Sequence, residues 1–275
     1  MREGRSSRTA LGAALCRAAH QLVDRPLVLE DPLAVRVVGT EPEVRAEIER
    51  RATPAASALR AFIVVRSRFA EDAFAAAHAR GIRQHVCLGA GLDTFACRCG
   101  LAGVRLVELD HPATQRWKRE RLARAGLALP AAAELAPVDF ERETLREGLA
   151  RTRLELAEPM FVSWLGVTPY LPADAVEATL RIVATGLARG SEIVFDFAAP
   201  QADGPVARAA FAARVEAVGE PLRSTLEPAD LPRRLLSLGF SRADVADAGA
   251  LDARYLHGRA DGLRLRGGHL MHARV

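Results

Sequence analysis

The sequence predicts an α/β protein with a doubly wound, mostly parallel sheet behind an N-terminal helical cap. Short apolar runs alternate with helical patterns from residue 84 to residue 197, as in folds built on a parallel sheet. The first run ends in a glycine pair, and the second ends in a carboxylate about 20 residues later, a spacing typical of nucleotide-binding folds. Residues 1–80 carry only helical patterns, which predict the cap.

Four helical patterns make up the predicted cap. They cover residues 7–22, 31–34, 43–51 and 55–80. The last pattern is closed by Gly81 and leads directly into the first strand. Its strongly apolar face is interrupted by Arg66 and Arg68. Two surface arginines would explain this interruption, and so would an arginine turned toward a cofactor site.

Five strands are predicted in the core, with helices between them. The strands cover residues 84–88, 104–109, 134–138, 160–164 and 192–197, and the clearest helices cover 112–125 and 172–187. After Pro200 the pattern loosens to helices at about 205–217 and 228–238 and a terminal strand at 269–275. Two strands joined near Gly262 to Gly268 could close the sheet as an antiparallel edge hairpin. Residues 1–275 are interpreted as one domain, with the cap at 1–80 and the core with its substrate-side elements at 81–275.

The turn after the first strand predicts a nucleoside-containing cofactor. Gly89-Ala90-Gly91 lets the backbone turn tightly and approach a ligand, because glycine has no Cβ. Asp110 ends the second strand, where a carboxylate can bind a ribose hydroxyl pair. A dinucleotide fold needs a third small residue where this chain has Thr94, and Asp93 would repel a pyrophosphate. These features favour S-adenosylmethionine, which carries an ammonium group and no phosphate.

Composition excludes several other classes. The chain has 275 residues, 49% of them hydrophobic and 26% charged, and no apolar run approaches a membrane span. The N-terminus does not resemble a signal peptide, and the four cysteines form no disulfide framework, so a cytoplasmic location is expected. With 5% aromatic residues and intermixed acids, the net charge of +4 does not indicate nucleic-acid binding. Cys97 and Cys99 lack zinc-site spacing and a second ligand pair, so no metal is expected.

Several motifs in one order resemble a known family. They are LGAGLDT, VELDHPATQ, PVDF and SWLGVTPYL, with SRTAL, DPLA, RSR and GRADGL around them. This set resembles the bacterial S-adenosylmethionine-dependent methyltransferases of the leucine carboxyl methyltransferase family, over nearly the whole chain. The resemblance implies a seven-stranded, Rossmann-like class I methyltransferase fold. It also implies methyl transfer to oxygen.

The resemblance assigns a role to each motif. It implies that Gly89, Ala90 and Gly91 line the cofactor with backbone and that Asp110 takes the ribose hydroxyls. Asp139, with the backbone of Phe140, would hold the adenine. Arg66 would pair with the cofactor carboxylate. The chain departs from the family at Leu165, where many members carry glutamate. Cys87 stands where unrelated methyltransferases often carry an acid, a difference that is expected within this family.

The substrate side is less defined, and its candidates are Tyr170, His257 and Arg259. Tyr170 lies at the mouth of the fourth strand, where ligands collect in such sheets, or it is simply a packed aromatic. His257 and Arg259 belong to a polar cluster that is either a solvated loop or a substrate wall in which Arg259 meets an anion. His111 is interpreted as shaping its turn or stacking near the ribose. No residue stands out as a general base.

The absence of a clear base favours a carboxylate acceptor, since a carboxylate is already ionised at neutral pH and a hydroxyl needs a base. The expected activity is therefore methyl ester formation on a small molecule of secondary metabolism. The alternative is methylation of a phenolic or other hydroxyl. A nicotinamide-dependent oxidoreductase and a non-catalytic cofactor-binding domain remain open, the latter because of Leu165. The substrate and the oligomeric state do not follow from the sequence.

Overall fold

The computed structural model describes residues 8–50, 52–140, 142–200 and 222–275. The helix expected at 205–217 lies outside these residues. The helices are α1 (Arg8–Val23), α2 (Pro32–Val38), α3 (Glu41–Arg50), α4 (Pro54–Ala79), α5 (Phe95–Arg98), α6 (Pro112–Arg124), α7 (Leu145–Ala150), α8 (Ala173–Gly186), α9 (Leu231–Leu238) and α10 (Ala248–Tyr255), with a 3₁₀ turn at Thr168–Tyr170. The strands are β1 (Gln84–Leu88), β2 (Arg105–Asp110), β3 (Ala133–Pro137), β4 (Phe161–Trp164), β5 (Glu192–Phe197), β6 (Arg242–Ala246) and β7 (His269–Arg274).

The seven strands form one sheet in the order β3-β2-β1-β4-β5-β7-β6. The first five strands are parallel to one another, which confirms the α/β fold class. β1 pairs with β2 on one side and with β4 on the other, so the strand order reverses between β1 and β4. Ligands of open α/β sheets bind at this reversal, outside the carboxyl ends of the strands. The glycine turn after β1 lies there.

The far edge of the sheet corrects one expectation. β7 is the predicted terminal strand, and it runs antiparallel to β5. Its other neighbour is β6, which lies before α10 and was not predicted. Residues 262–268 therefore do not join two strands of a hairpin; they form the loop that leads into β7. β6 is difficult to predict from the sequence because it is an edge strand that carries the exposed charges Arg242 and Asp244. Charged side chains on an edge strand commonly prevent edge-to-edge pairing with another sheet.

Helices cover both faces of the sheet. On one face, α7, α8 and α9 pack on the parallel strands, and this cluster contains Leu149, Leu180 and Leu235. On the other face lies the C-terminal half of α4, where Phe74 is fully buried. Its ring contacts those of Phe95 and Phe161 at centroid distances of 5.9 and 5.3 Å. The last helix of the predicted cap is thus also a layer of the core, and this fixes its N-terminal half above the strand ends.

Helix α4 is 26 residues long because its sequence supplies a strong start and no internal breaker. The Thr53 hydroxyl accepts a hydrogen bond from the Ala56 N–H at 3.1 Å, and Pro54 occupies the first turn. Across the ranges the structure describes, neither this helix nor any other is both long enough and apolar enough to cross a membrane.

Candidate functional site

The glycine turn brings bare backbone to the carboxyl ends of the strands. Gly89 and Gly91 have φ values of +66° and +53°, in the left-handed region that glycine adopts without strain. A Cβ on Gly91 would lie 2.9 Å from the Cβ of Ala10, and a Cβ on Gly89 would overlap Cγ2 of Val167. The Gly89 N–H donates to the Leu109 carbonyl at 2.7 Å. The turn is therefore closely packed between α1 and the loop after β4.

Asp110 faces this turn from the end of β2. Its carboxylate accepts hydrogen bonds from the N–H groups of Gly91 and His111, both at 2.6 Å. Burial raises the pKa of the carboxyl above its ordinary value, although both N–H groups favour the ionised form. A carboxylate has about four acceptor positions, and these bonds take two of them. The others can accept hydrogen bonds from a ligand in the cavity that Asp110 lines.

Arg66 reaches the same cavity from α4, where it is buried against β5. Its Nη1 donates to Asp196 Oδ2 at 2.8 Å, and Asp196 also accepts the Gly166 N–H. No described residue accepts a hydrogen bond from its Nε, which is buried. A Cβ on Gly166 would lie 2.6 Å from Nη2, so only glycine leaves room for the guanidinium there. Arg66 therefore keeps an unsatisfied donor beside the cavity while Asp196 holds it in place.

Asp93 adds negative charge to the cavity wall. Its carboxylate accepts the Phe95 N–H at 2.6 Å. Burial raises its pKa, but the cations Arg17, Arg98 and Lys118 outweigh burial and hold the pKa below its ordinary value. Asp93 is therefore ionised at neutral pH. It can attract an ammonium group, as its position in the turn predicts.

The N-terminal helices hold the glycine turn in place. Arg17 of α1 donates to Asp31 Oδ2 at 3.2 Å and to the Leu92 carbonyl at 2.8 Å. Asp31 also caps α2 by accepting the Ala34 N–H at 3.1 Å, and it accepts the Thr94 hydroxyl. These buried contacts tie the DPLA motif to the turn. They give a physical reason why N-terminal motifs accompany the glycine pair.

The other predicted cofactor residues also line the cavity. Asp139 and Phe140 follow β3, and the Asp139 N–H donates to Glu143 Oε2 at 3.0 Å. The Phe140 side chain is 37% exposed, although large aromatic side chains are usually buried. Ala90 lines the wall between the two glycines. The seven predicted cofactor residues thus meet around one cavity of about 1930 Å³.

Of the three substrate-side candidates, only Tyr170 lines the cavity, and it does so from the 3₁₀ turn. His257 is exposed on a loop that does not line the cavity. Arg259 is buried elsewhere, where it pairs with Asp261 and donates to the Pro26 carbonyl at 2.6 Å. The interpretation of Arg259 as an anion-binding wall residue is therefore wrong: its guanidinium joins two loops.

Three candidate functional residues of the cavity were not predicted from the sequence. Arg223 and Arg266 line the cavity, are exposed, and pair with no carboxylate among the described residues. The Arg223 N–H donates to the Pro169 carbonyl at 2.7 Å, which places it beside the Tyr170 turn. His269 lines the cavity at the start of β7 and stacks on Phe197 with ring centroids 5.4 Å apart. The local signal in the sequence was the Gly267-Gly268 pair before His269. The structure requires glycine at position 268, because a Cβ there would overlap the Phe62 ring.

Other titratable groups serve structure. His85 lines the cavity, and burial lowers its pKa to about 4, so it is a weak base. The His111 Nδ1 accepts the Ala113 N–H at 3.2 Å and so caps α6. Burial raises the pKa of the Cys87 thiol, which makes it a poor nucleophile. Within the described ranges, no cluster of three or more His, Cys, Asp or Glu side chains could hold a metal ion.

Comparison with known proteins gives a consistent result. The profile of the leucine carboxyl methyltransferase family matches residues 10–184. YktD of Bacillus subtilis, provisionally named an S-adenosyl-L-methionine-dependent methyltransferase, is 28% identical over 87% of this chain and 88% of its own length. A Mycobacterium marinum protein with the same provisional name is 31% identical over 87% of this chain and 80% of its own length. Five further mycobacterial relatives are matched over only 62–64% of their length.

Among solved structures, a Thermobifida fusca protein provisionally called a methyltransferase superposes with a TM-score of 0.63. The superposition covers 99% of this chain and 96% of that protein, at 16% sequence identity. At this identity the likeness concerns the fold.

Proposed function

The chain belongs to the leucine carboxyl methyltransferase family, and from this premise we propose that it methylates a carboxylate of a small molecule, with S-adenosylmethionine as methyl donor. Two arginines of the cavity carry the carboxylate part of the proposal. Arg223 and Arg266 offer guanidinium groups that no described carboxylate neutralises, and guanidinium binds carboxylates well. Three further cavity arginines, namely Arg17, Arg60 and Arg66, are paired with aspartates.

The residues at the strand ends fit S-adenosylmethionine. Its adenosine needs hydrogen-bond acceptors for the ribose, and Asp110 keeps acceptor positions open. Its carboxylate needs a donor, and Arg66 has a buried Nε without an acceptor among the described residues. Its ammonium group needs negative charge, and Asp93 supplies it. The glycine turn, which leaves no side chain on its backbone, supports a close approach of the ligand.

When bound, S-adenosylmethionine supplies a methyl group already activated by a sulfonium. The acceptor oxygen forms a bond to this carbon as the carbon–sulfur bond breaks, which leaves a methyl ester and a thioether. No proton moves if the acceptor is a carboxylate, so the chain has only to bind and orient it. In this proposal the acceptor is held by Arg223, beside the Tyr170 turn, and by Arg266, in the loop before β7. Positioning of this kind can lower a barrier by about 7–11 kcal/mol.

The acceptor atom is tested by the stability of the product. We expect that methyl-labelled product formed from a carboxylic acid releases its label as methanol in mild alkali, because esters hydrolyse there and ethers do not. The measurement is volatile label before and after base, with a synthetic methyl ester and a methyl ether as references. Label that stays with the product would favour the alternative, methylation of a hydroxyl. His269 or Tyr170 would then be tested as the base, in place of His257, which does not line the cavity.

Replacing Asp110 with alanine tests the cofactor site. We expect S-adenosylmethionine to bind more weakly by about 1.5–3 kcal/mol, the range for hydrogen bonds to a charged group. Calorimetric titration measures the affinity, and circular dichroism checks the fold, since the Gly91 and His111 N–H groups lose their acceptor. Asp230→Ala is a matched control, because Asp230 is an exposed aspartate outside the cavity. Unchanged affinity in folded Asp110→Ala protein would remove Asp110 from the site.

A further inference from the structure

The cavity is larger than a cofactor site requires. Ligand pockets usually enclose roughly 300–1,000 Å³, and this cavity encloses about 1930 Å³. The predicted cofactor residues occupy the end at the strand termini. The other end extends between α1 and the first turns of α4. A second ligand of substantial size therefore has room beside the cofactor.

The far wall of the cavity is mainly apolar. It is formed by Ala13, Cys16, Val23, Ile48, Leu59 and Phe62, and several small alanines lie between them. Val23 and Leu59 are 43% and 38% exposed, and they are two of the four large exposed hydrophobic side chains among the described residues. A third, Phe140, also lines the cavity. Exposed apolar side chains gathered on a concave wall mark a site for an apolar ligand.

The charged side chains of this wall are already engaged, and the one acid among them, Glu47, pairs with Arg50. Arg60 donates to both carboxylate oxygens of Asp24, through Nε at 2.8 Å and Nη2 at 2.9 Å. Arg17 is held by Asp31, as described above. Neither guanidinium is therefore available for a polar substrate body. The cavity cations without a described carboxylate partner are Arg223, in the segment before α9, and Arg266, in the loop before β7.

We propose that the acceptor is a carboxylic acid with a bulky hydrocarbon body, and that Val23 and Leu59 of the far wall select this acid by burying its hydrocarbon body. This inference rests on the proposed function, because it assigns the carboxylate to Arg223 and Arg266. It favours a fatty or alicyclic acid over a peptide C-terminus, whose backbone amides would be left without partners on this wall. Specificity then grows with the apolar surface of the acid.

Binding of straight-chain acids from butanoic to dodecanoic tests the inference. Calorimetry in the presence of S-adenosylhomocysteine reports affinity without turnover. We expect affinity to rise about fourfold per methylene, equivalent to ~0.8 kcal/mol, until the wall is covered. Leu59→Ser should lower the affinity for dodecanoic acid by on the order of tenfold and change the affinity for butanoic acid by no more than about twofold. The matched control is Leu236→Ser, an exposed leucine of α9 outside the cavity, which should change neither.

Affinity that does not depend on chain length would overturn the inference, and so would equal weakening of long and short acids by Leu59→Ser. Tighter binding of a hydrophilic peptide carrying a free C-terminus would overturn it as well. None of these results depends on which atom is methylated, which the alkali experiment decides. The binding measurements therefore test the apolar acceptor site, and the alkali experiment separately tests methyl ester formation.

Discussion

Replacing Arg66 with methionine is expected to lower the free energy of unfolding by about 3–5 kcal/mol and to abolish measurable S-adenosylmethionine binding. The loss of stability follows from Asp196, which is 3% exposed and would be left as a buried charge without its partner. The loss of binding follows from the guanidinium, which in the proposed site pairs with the cofactor carboxylate. Urea unfolding measures the first effect, and calorimetric titration measures the second.

Two further variants separate stability from binding. Arg66→Met combined with Asp196→Asn should recover much of the stability, because the buried charge is gone and an acceptor remains for the Gly166 N–H. It should not recover binding. Arg66→Lys keeps the positive charge but loses the two parallel N–H donors of the guanidinium, so it should weaken the binding of S-adenosylmethionine. Its affinity for decarboxylated S-adenosylmethionine should equal that of the unmodified protein. Recovery of cofactor binding in the double variant would show that Arg66 acts only through packing.

The parallel part of the fold was predictable because its signal is strong and local. The apolar runs of β1 and β5 carry few breakers, and the structure has both strands at the predicted bounds. The antiparallel edge was not predictable in the same way. β6 has the sequence RADVA, whose side chains are exposed or half-buried, so no apolar alternation marks it. Its strand conformation depends on pairing with β7, which lies more than 20 residues later in the chain.

The predicted cofactor residues line one cavity for a related reason. Apart from Arg66 of α4, each predicted residue there is next to a strand end, and parallel strands bring their carboxyl ends to one edge. The substrate side depends instead on loop courses. Arg259 and Arg266 are seven residues apart on one loop, yet Arg259 is held by Asp261 and only Arg266 lines the cavity. No spacing in the sequence distinguishes these two arginines.

Gly89→Ala is expected to destabilise the protein by about 2–5 kcal/mol, through two additive effects. A non-glycine residue at φ +66° costs roughly 1–2 kcal/mol. The new methyl group would also overlap Val167, a β-branched residue with few alternative rotamers, and overpacking costs about 1–3 kcal/mol. Because Gly89 joins β1 to the cofactor turn, the proposed site should also lose affinity. Urea unfolding and cofactor titration measure the two consequences.

Gly103→Ala separates the two effects, because Gly103 has nearly the same φ, +68°, and a Cβ there would meet only Cδ of Arg83 at 4.0 Å. It should therefore cost only the roughly 1–2 kcal/mol of backbone strain. Adding Val167→Ala to Gly89→Ala removes the overlapping methyl groups and should bring the loss toward the Gly103→Ala value. If Gly89→Ala and Gly103→Ala cost the same, the contact between the turns after β1 and β4 does not limit the residue at position 89. The close packing that confines the cofactor turn would then have to come from Ala10 beside Gly91.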